Sequence, residues 1–425
     1  MKQSQKRLYS SLLALLLCNS ILLASCQKKS DQESESSDAA TDGIISSEQT
    51  TDENQPSSPV PDANGLEYQL NEEEKTCTIT GLGTYGKNEL IIPSSVEGHT
   101  VTRIEDKAFY NCTNLTGIAL PNSLTSIGNH AFYGCTALQS VENNVVYVGN
   151  WAIGMVDYST AAMLTIRENT VGIGDFAFQS LLNLTHVILP EGLLYLGCGA
   201  FCLSENIKSI TLPNSLKEIG MDAFGDCYGI TSITIPNQVN KIGDHAFAMC
   251  KNLKEIVIPD SVTEMGESVF SNCSNLESVT LSKSLKSLPD WMFYQCNKLV
   301  KMTIPEGVTE IGSFFFYECA NLEQIILPSS VTQIYDYAFD KCDNLKTVYY
   351  TGTREQWNIT VDFPNEPFSN ATICYYSEAT PSTQGNYWRY VDGVPQIWDS
   401  SPTNEFVSFE KGEVGGIEGG AIIEW

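Results

Sequence analysis

Cysteine is the residue type whose number and spacing in this chain first suggest chemistry. The sequence of 425 residues contains 14 cysteines. Eight of them lie at multiples of 23 residues from one another: Cys112, Cys135, Cys227, Cys250, Cys273, Cys296, Cys319 and Cys342. Leu181 and Ser204 occupy the same position in two further repeats. Thiols in such a column could bind a metal, form disulfides or fill a buried position.

The spacing of these cysteines argues against a metal site. Structural zinc sites use pairs of cysteines separated by about two to four residues, and Cys198 and Cys202 come near this pattern without a matching second pair. Equivalent residues of stacked parallel strands lie ~4.8 Å apart, close enough for a disulfide but wrongly oriented for its dihedral angle. We therefore expect mostly free, buried thiols, with some disulfides as the open alternative, and no metal or other cofactor.

Histidine and aspartate give little support for catalysis. The four histidines are His99, His130, His186 and His245. His130 and His245 precede an Ala-Phe pair, at a position that other repeats fill with unrelated residue types. Several aspartates recur in a turn, where they are expected as turn formers. Because Gly-x-Ser-x-Gly, His-Glu-x-x-His and P-loop motifs are also missing from the sequence, we predict that the protein is not an enzyme.

The N-terminus has the layout of an export signal. Lys2, Lys6 and Arg7 precede an apolar run over residues 8–24, and the run ends in a Leu-Ala-Ser-Cys motif at Cys26. This motif resembles the lipobox of bacterial lipoproteins, which implies cleavage before Cys26 and acylation of its sulfur and amino group. Residues 1–25 are therefore predicted to be a lipoprotein signal peptide and Cys26 the site of lipid attachment. The alternative is an uncleaved transmembrane helix.

Residues 26–64 are predicted to be a disordered acidic tether. They are rich in Ser, Asp, Glu, Thr and Pro, contain no aromatic residue, and carry nine acidic residues against two lysines. Such a segment cannot bury enough apolar surface to offset the entropy of ordering. Its expected role is to hold the rest of the chain away from a membrane.

The chain repeats with a period of 23 residues, and this repeat predicts the strands and turns that position the cysteines. Phenylalanines recur at multiples of this period, at positions 109, 132, 178, 201, 224, 247, 270, 293, 316 and 339. The unit at 208–230 reads KSITLPNSLKEIGMDAFGDCYGI, with one short strand that places Ile210 and Leu212 inward and one turn. One unit cannot bury its apolar side chains alone, so stacked units form a continuous core. We predict a solenoid of ten to eleven units with short parallel β-strands.

The repeat pattern resembles a known family. The motif I-P-x-x-V-x-x-I-G-x-x-A-F-x-x-C-x-x-L over 235–253, repeated over 258–276, is similar to BspA-type leucine-rich repeats. The resemblance predicts a capped leucine-rich repeat solenoid over 65–352 and a C-terminal cap and appendage over 353–425. It also implies that the cysteines fill a position where leucine-rich repeats carry Asn or Cys. Residues 141–171 depart from the pattern and are interpreted as a divergent repeat with a rearranged loop around Trp151.

The same resemblance implies a binding function at the bacterial cell surface. The family is associated with adhesion, so the expected partner is a host protein, a neighbouring cell or a glycan, and the expected location is the cell envelope, with membrane attachment through the N-terminal lipid. The alternative is a glycan- or envelope-binding lipoprotein with a scaffolding role. A formal charge of −27, from 24 basic and 51 acidic residues, argues against nucleic acid as a partner.

The outward-facing residues of the strands are the candidate ligand face. Side chains alternate along a strand, so the residues that flank each inward apolar residue point away from the core. The resulting strip of hydroxyl side chains comprises Ser209, Thr211, Ser232, Thr234, Ser278, Thr280 and Thr303. The alternative explanation is that threonine is simply a good strand former on a solvated face.

Overall fold

The computed structural model describes residues 65–159, 161–381 and 385–398, together with the backbone of two short strands, Val60–Pro61 and Gly420–Ile422. The predicted signal peptide, Cys26 and the predicted tether up to residue 59 lie outside the described residues. At the end of the predicted tether, Val60–Pro61 pairs antiparallel with Glu67–Asn71.

The repeats wind into a parallel β-solenoid of about 13 turns with a spacing of about 23 residues. Residues that are 23 positions apart in the sequence pair with each other in neighbouring strands, as Ser209 does with His186 and Ile210 with Val187. The turns outnumber the ten to eleven predicted units because the flanking segments and the irregular region also contribute strands to the stack. The predicted fold class is therefore confirmed.

Most turns contribute to two strand ladders, each paired in several separate stretches, so the prediction of one strand per unit is wrong. The first ladder comprises Glu89–Ile91, Gly117–Ala119, Met163–Thr165, His186–Ile188, Ser209–Ile210, Glu255–Val257, Ser278–Thr280, Lys301–Thr303, Gln324–Leu327, Thr347–Tyr350 and Thr372–Tyr376. The second comprises His99–Ile104, Ser126–Ile127, Trp151–Met155, Gly172–Ile173, Tyr195–Leu196, Glu218–Ile219, Lys241–Ile242, Glu264–Met265, Ser287–Leu288, Glu310–Ile311, Gln333–Ile334 and Thr360–Asp362. Most strands of the second ladder are two residues long, too short to show an alternating pattern in sequence.

Additional elements flank the ladders at both ends. At the N-terminal end, Glu67–Asn71 and Thr76–Gly81 form an antiparallel pair, and Thr76–Gly81 then runs parallel to His99–Ile104, which also pairs with Ser95–Val96. At the C-terminal end the chain forms a 3-10 helix, Arg354–Gln356, a short α-helix, Glu366–Asn370, and a hairpin of Tyr387–Val391 and Val394–Ile397. The hairpin extends the first ladder by pairing Tyr387–Val391 with Thr372–Tyr376, and the backbone of Gly420–Ile422 pairs with Thr360–Asp362.

The divergent region around Trp151 is a β-meander and not a rearranged loop. Gln139–Glu142, Val145–Val148 and Trp151–Met155 pair antiparallel, and the last of these strands joins the second ladder. Trp151 is buried, and its ring stacks on Tyr195 with a centroid distance of 6.2 Å. A Cβ atom at residue 172 would collide with this ring, so Gly172 makes room for it.

A column of phenylalanines forms the centre of the core. From Phe178 to Phe293 the rings of successive turns are stacked with centroid distances of 5.4 to 5.7 Å, and each is fully buried. Offset stacking of this kind stabilises the array beyond the burial of apolar area. In the described ranges 65–159, 161–381 and 385–398, no helix combines the length and apolar character required to cross a membrane.

Candidate binding face

The outward face of the first ladder, meaning the side chains of its strands that point away from the core, is open to solvent. All seven predicted residues are exposed: Ser209, Thr211, Ser232, Thr234, Ser278, Thr280 and Thr303. Between them, Ile210, Ile233 and Met302 point inward and are buried. The alternation therefore positions these hydroxyl groups as the sequence predicts, while their role in binding stays a prediction.

The outward face is more apolar than the predicted strip of hydroxyl groups. Met163, Ile188 and Val257 lie on it with exposed fractions of 61%, 52% and 60%. The pairing of Met163 with His186 and of Thr165 with Ile188 places two of these side chains on adjacent strands. The sequence could have revealed these apolar positions, because residues 188 and 257 occupy the same position in their repeats as Thr211 and Thr234. Contiguous apolar patches are typical of surfaces that contact a partner, and here Met163 and Ile188 are neighbours while Val257 lies three turns further on.

The C-terminal end of the outward face is covered by the chain itself. Tyr349, Cys374 and Trp388 form a separate small cluster on this side of the ladder, and all three are buried. The indole N–H of Trp388 donates a hydrogen bond to the carbonyl oxygen of Tyr350 at 2.8 Å, which fixes the C-terminal hairpin in place. The open part of the face therefore ends near Ile326, which is half-buried against this cluster.

A cleft of about 660 Å³ opens on the outward face at one of the places where neighbouring turns of the first ladder are not paired. Another such place lies between Ser278–Thr280 and Lys301–Thr303. Its walls are the segment 232–237 of one turn and the segment 255–261 of the next. Residues 231–236 form no strand, although the period predicts one with Ile233 and Ile235 inward. Both isoleucines are nevertheless buried, so the segment keeps its inward packing but not its strand pairing.

The cysteine column is structural. From Cys227 to Cys342 each thiol is fully buried, and its Sγ donates a hydrogen bond to the carbonyl oxygen of the phenylalanine 26 residues earlier, at 3.0 to 3.3 Å. Ser204 makes the equivalent bond to the Phe178 oxygen at 3.2 Å. Burial raises the pKa of the Cys273 and Cys319 thiols to about 12, so both are protonated and unreactive at neutral pH. None of the 12 cysteines among the described residues is in a disulfide.

Aspartate and asparagine side chains tie successive turns together. The Asp175 carboxylate accepts a hydrogen bond from the Cys198 backbone N–H at 2.9 Å, and Asp244 does the same for Glu267. An asparagine column, which sequence analysis missed, donates side-chain N–H groups to carbonyl oxygens 24 residues earlier. Its members are Asn183, Asn206, Asn252, Asn275, Asn321 and Asn344. The aspartates thus act structurally, and the 23-residue period could have revealed the asparagines.

The position shared by His130 and His245 is defined by backbone conformation. Both histidines have φ of 55°, in the left-handed region, as do Lys107 at 58°, Asp222 at 51° and Tyr337 at 60°. His130 is exposed, whereas His245 is half-buried and its burial lowers the pKa of the imidazole. Across the described part of the chain, no cluster of three or more His, Cys, Asp or Glu side chains is arranged to hold a metal ion.

A capped parallel solenoid of 23-residue turns, with a cysteine column that is buried except at Cys112, is the architecture that the leucine-rich repeat pattern predicts. The family model for the BspA type leucine-rich repeat region matches the chain in six copies, within residues 102–230, 171–297 and 217–346. These matches together cover more than half of the chain. The protein therefore belongs to the BspA-type leucine-rich repeat family.

Solved structures of bacterial leucine-rich repeat proteins are similar to this chain. A leucine-rich cell surface protein from Faecalibacterium prausnitzii is 26% identical over 71% of this chain and 97% of its own, with a TM-score of 0.36. Leucine-rich repeat proteins from Eubacterium ventriosum and Bacteroides ovatus are 19% and 24% identical, cover 70% and 73% of this chain and 91% and 98% of their own, and have TM-scores of 0.38 and 0.26. No curated protein matches the chain.

Proposed function

We propose that the protein is a lipid-anchored binding protein of the bacterial cell surface that acts as an adhesin. In this proposal the outward face of the first ladder contacts a protein of a host or of a neighbouring cell. The observation that carries the proposal is the exposure of apolar side chains, Met163, Ile188 and Val257, on a strand face that also presents hydroxyl groups and a few charged side chains such as Glu255 and Lys301. Solenoids use such regular surfaces for partners.

The location part of the proposal rests on the family and on the N-terminal sequence. The similar protein from Faecalibacterium prausnitzii is described as a cell surface protein, and the motif that ends at Cys26 supports attachment through lipid. Two or three acyl chains hold a protein stably at a membrane, whereas one chain does so only marginally. An acidic segment after Cys26 would then separate the binding face from the lipid surface.

A binding screen tests the proposal and its alternative. The full chain, captured in detergent through a C-terminal tag, is presented to a panel of extracellular-matrix and plasma proteins and to a glycan array. Saturable binding to a protein, retained after that protein is deglycosylated, supports the adhesin function. Binding confined to glycans supports the envelope- or glycan-binding alternative, and no saturable binding in either panel contradicts both.

A further inference from the structure

The first ladder ends on each side in a strand that has a neighbouring strand along one edge only. Glu89–Ile91 pairs with Gly117–Ala119 at the N-terminal end, and Val394–Ile397 pairs with Tyr387–Val391 at the C-terminal end. Within the ranges that the structure describes, no strand pairs with the opposite edge of either one. Such edges present backbone N–H and C=O groups and are templates for pairing with another chain.

The C-terminal edge also carries apolar side chains that favour association. Val394 and Ile397 lie on the edge strand with exposed fractions of 57% and 46%, and Tyr390 on the neighbouring strand is 45% exposed. An exposed strand edge with apolar side chains is a site at which proteins aggregate. The occupant that fits such an edge is a second copy of the same strand, because two copies related by a two-fold axis are self-complementary.

The pairing within the hairpin determines which backbone groups face this open edge. Its two-residue loop at 392–393 has positive φ at both residues, 51° and 77°, as in a type I′ turn. Val391 and Val394, which flank the loop, therefore form a hydrogen-bonded pair. Because hydrogen-bonded and non-hydrogen-bonded pairs alternate, the next pair, Tyr390 and Pro395, is not hydrogen-bonded. The backbone nitrogen and oxygen of Pro395 thus point away from the hairpin, towards the open edge.

Two hydrogen bonds agree with this alternation. The Trp398 N–H donates to the Tyr387 oxygen at 3.0 Å, which is a hydrogen-bonded pair four residues further along each strand. The Trp388 oxygen instead accepts the Ser377 N–H at 2.9 Å, on the side away from the hairpin partner. Pro395 therefore occupies a position whose N–H an added strand would need as a donor, and proline has no N–H. Proline is tolerated in sheets at such edge positions.

A tyrosine side chain closes the opposite end of the first ladder. The Tyr85 hydroxyl donates to the Glu89 oxygen at 2.7 Å and accepts the Ile91 N–H at 3.3 Å. These backbone groups face away from the neighbouring strand, since the Ile92 N–H, next along the chain, donates to the Ala119 oxygen of that strand at 3.0 Å. The hydroxyl of the buried Tyr85 therefore takes the place of a neighbouring strand at two backbone groups.

From these observations we propose that Pro395 and Tyr85 close the two ends of the first ladder against a second copy of this chain. Pro395 prevents the hairpin edges of two copies from pairing with each other. Tyr85 prevents the N-terminal edge of one copy from pairing with the hairpin of another, a head-to-tail contact that would not close and would build a filament. The inference concerns self-association and does not depend on the proposed function.

Sedimentation velocity of the full chain, in a density-matched detergent and over a wide range of protein concentrations, tests the inference. Pro395→Thr restores an N–H at the open edge without adding an apolar side chain. Gln396→Thr is the matched control, because it introduces the same side chain at the adjacent position, which pairs with Arg389 inside the hairpin. We expect Pro395→Thr to raise the association constant for dimers at least about tenfold over wild type, and Gln396→Thr to leave it within about twofold.

Adding Tyr85→Phe to Pro395→Thr removes the hydroxyl but keeps the ring, and is expected to produce species larger than a dimer. Circular dichroism and a melting curve confirm that each variant is folded, and Pro395→Ala, which restores the same N–H, replaces Pro395→Thr if that variant does not fold. The inference is overturned if the folded Pro395 variant sediments like wild type at every concentration, or if Gln396→Thr associates as strongly. A double variant that stops at dimers overturns the role of Tyr85.

Discussion

The cysteine column provides a prediction in which two substitutions at one site should differ in a defined order. The Cys250 thiol is fully buried and donates to the Phe224 oxygen at 3.3 Å, while the same oxygen accepts the Cys227 backbone N–H at 3.2 Å. In Cys250→Ala the lost apolar atom costs about 1 kcal/mol. The residual cavity and the lost weak hydrogen bond add about 0.5 kcal/mol each. We therefore expect a destabilisation of about 2 kcal/mol.

In Cys250→Ser the hydroxyl keeps the hydrogen bond, as Ser204 does naturally with the Phe178 oxygen at 3.2 Å while also accepting the Leu181 backbone N–H. Burying the more polar group is partly offset by this stronger bond, so we expect a loss of about 1 kcal/mol. Urea unfolding under reducing conditions measures both values, provided that the m-value is unchanged. The reverse change, Ser204→Cys, is the matched control and should shift stability by less than about 1 kcal/mol. A larger loss for Cys250→Ser than for Cys250→Ala would refute the role of the hydrogen bond.

Three further predictions concern the anchor, the thiols and pH. Cys26→Ser should move the protein from the detergent phase to the aqueous phase on Triton X-114 partitioning; unchanged partitioning would mean that the apolar run acts as a transmembrane helix. A thiol reagent should label most of the column only after denaturation, with the half-buried Cys112 reacting first in the folded protein; intact disulfides before reduction would contradict this. Burial, and then the charges of Asp226 and Asp244, raise the pKa of Asp222 to about 7, so its ionisation lowers stability progressively as pH rises from about 4 to 7. Asp222→Asn should therefore melt higher than wild type above pH 7, by the equivalent of about 1–2 kcal/mol, and show no such gain at pH 4; a gain independent of pH would contradict the assignment.

The parts of the fold that follow from a single repeat could be predicted from the sequence. The recurring Phe224 and Cys227 positions determine the period, the parallel stacking and the buried position of the thiols, because the same inward pattern is imposed on every turn. The alternation around Ile210 likewise predicted that Ser209 and Thr211 face outward. These properties depend on local periodicity, which is fully visible in the sequence.

The parts that depend on how turns meet could not be predicted in the same way. The second ladder was missed because strands such as Lys241–Ile242 are too short to alternate. Residues 232–235 have the same alternating pattern as the other strands of the first ladder, so the sequence gives no indication that they remain unpaired. The cover over Tyr349 comes from Trp388, 39 positions later, outside the repeat pattern. The strand that contains Trp151 is not evident from the sequence, because antiparallel pairing within a parallel array leaves no repeating pattern.

The most direct test of the account is whether the outward face carries binding to the partner found in the screen. The triple variant Thr234→Lys, Thr280→Lys and Thr303→Lys changes this face alone, since all three side chains are exposed and lysine already occurs there at Lys301. The matched control places three lysines at exposed positions on the other side of the turns, at Thr263, Ser287 and Thr309. The account predicts that the first variant, with unchanged folding, loses at least about tenfold in affinity and that the control stays within about twofold of wild type. Equal affinities for the two variants would contradict a binding role for the outward face.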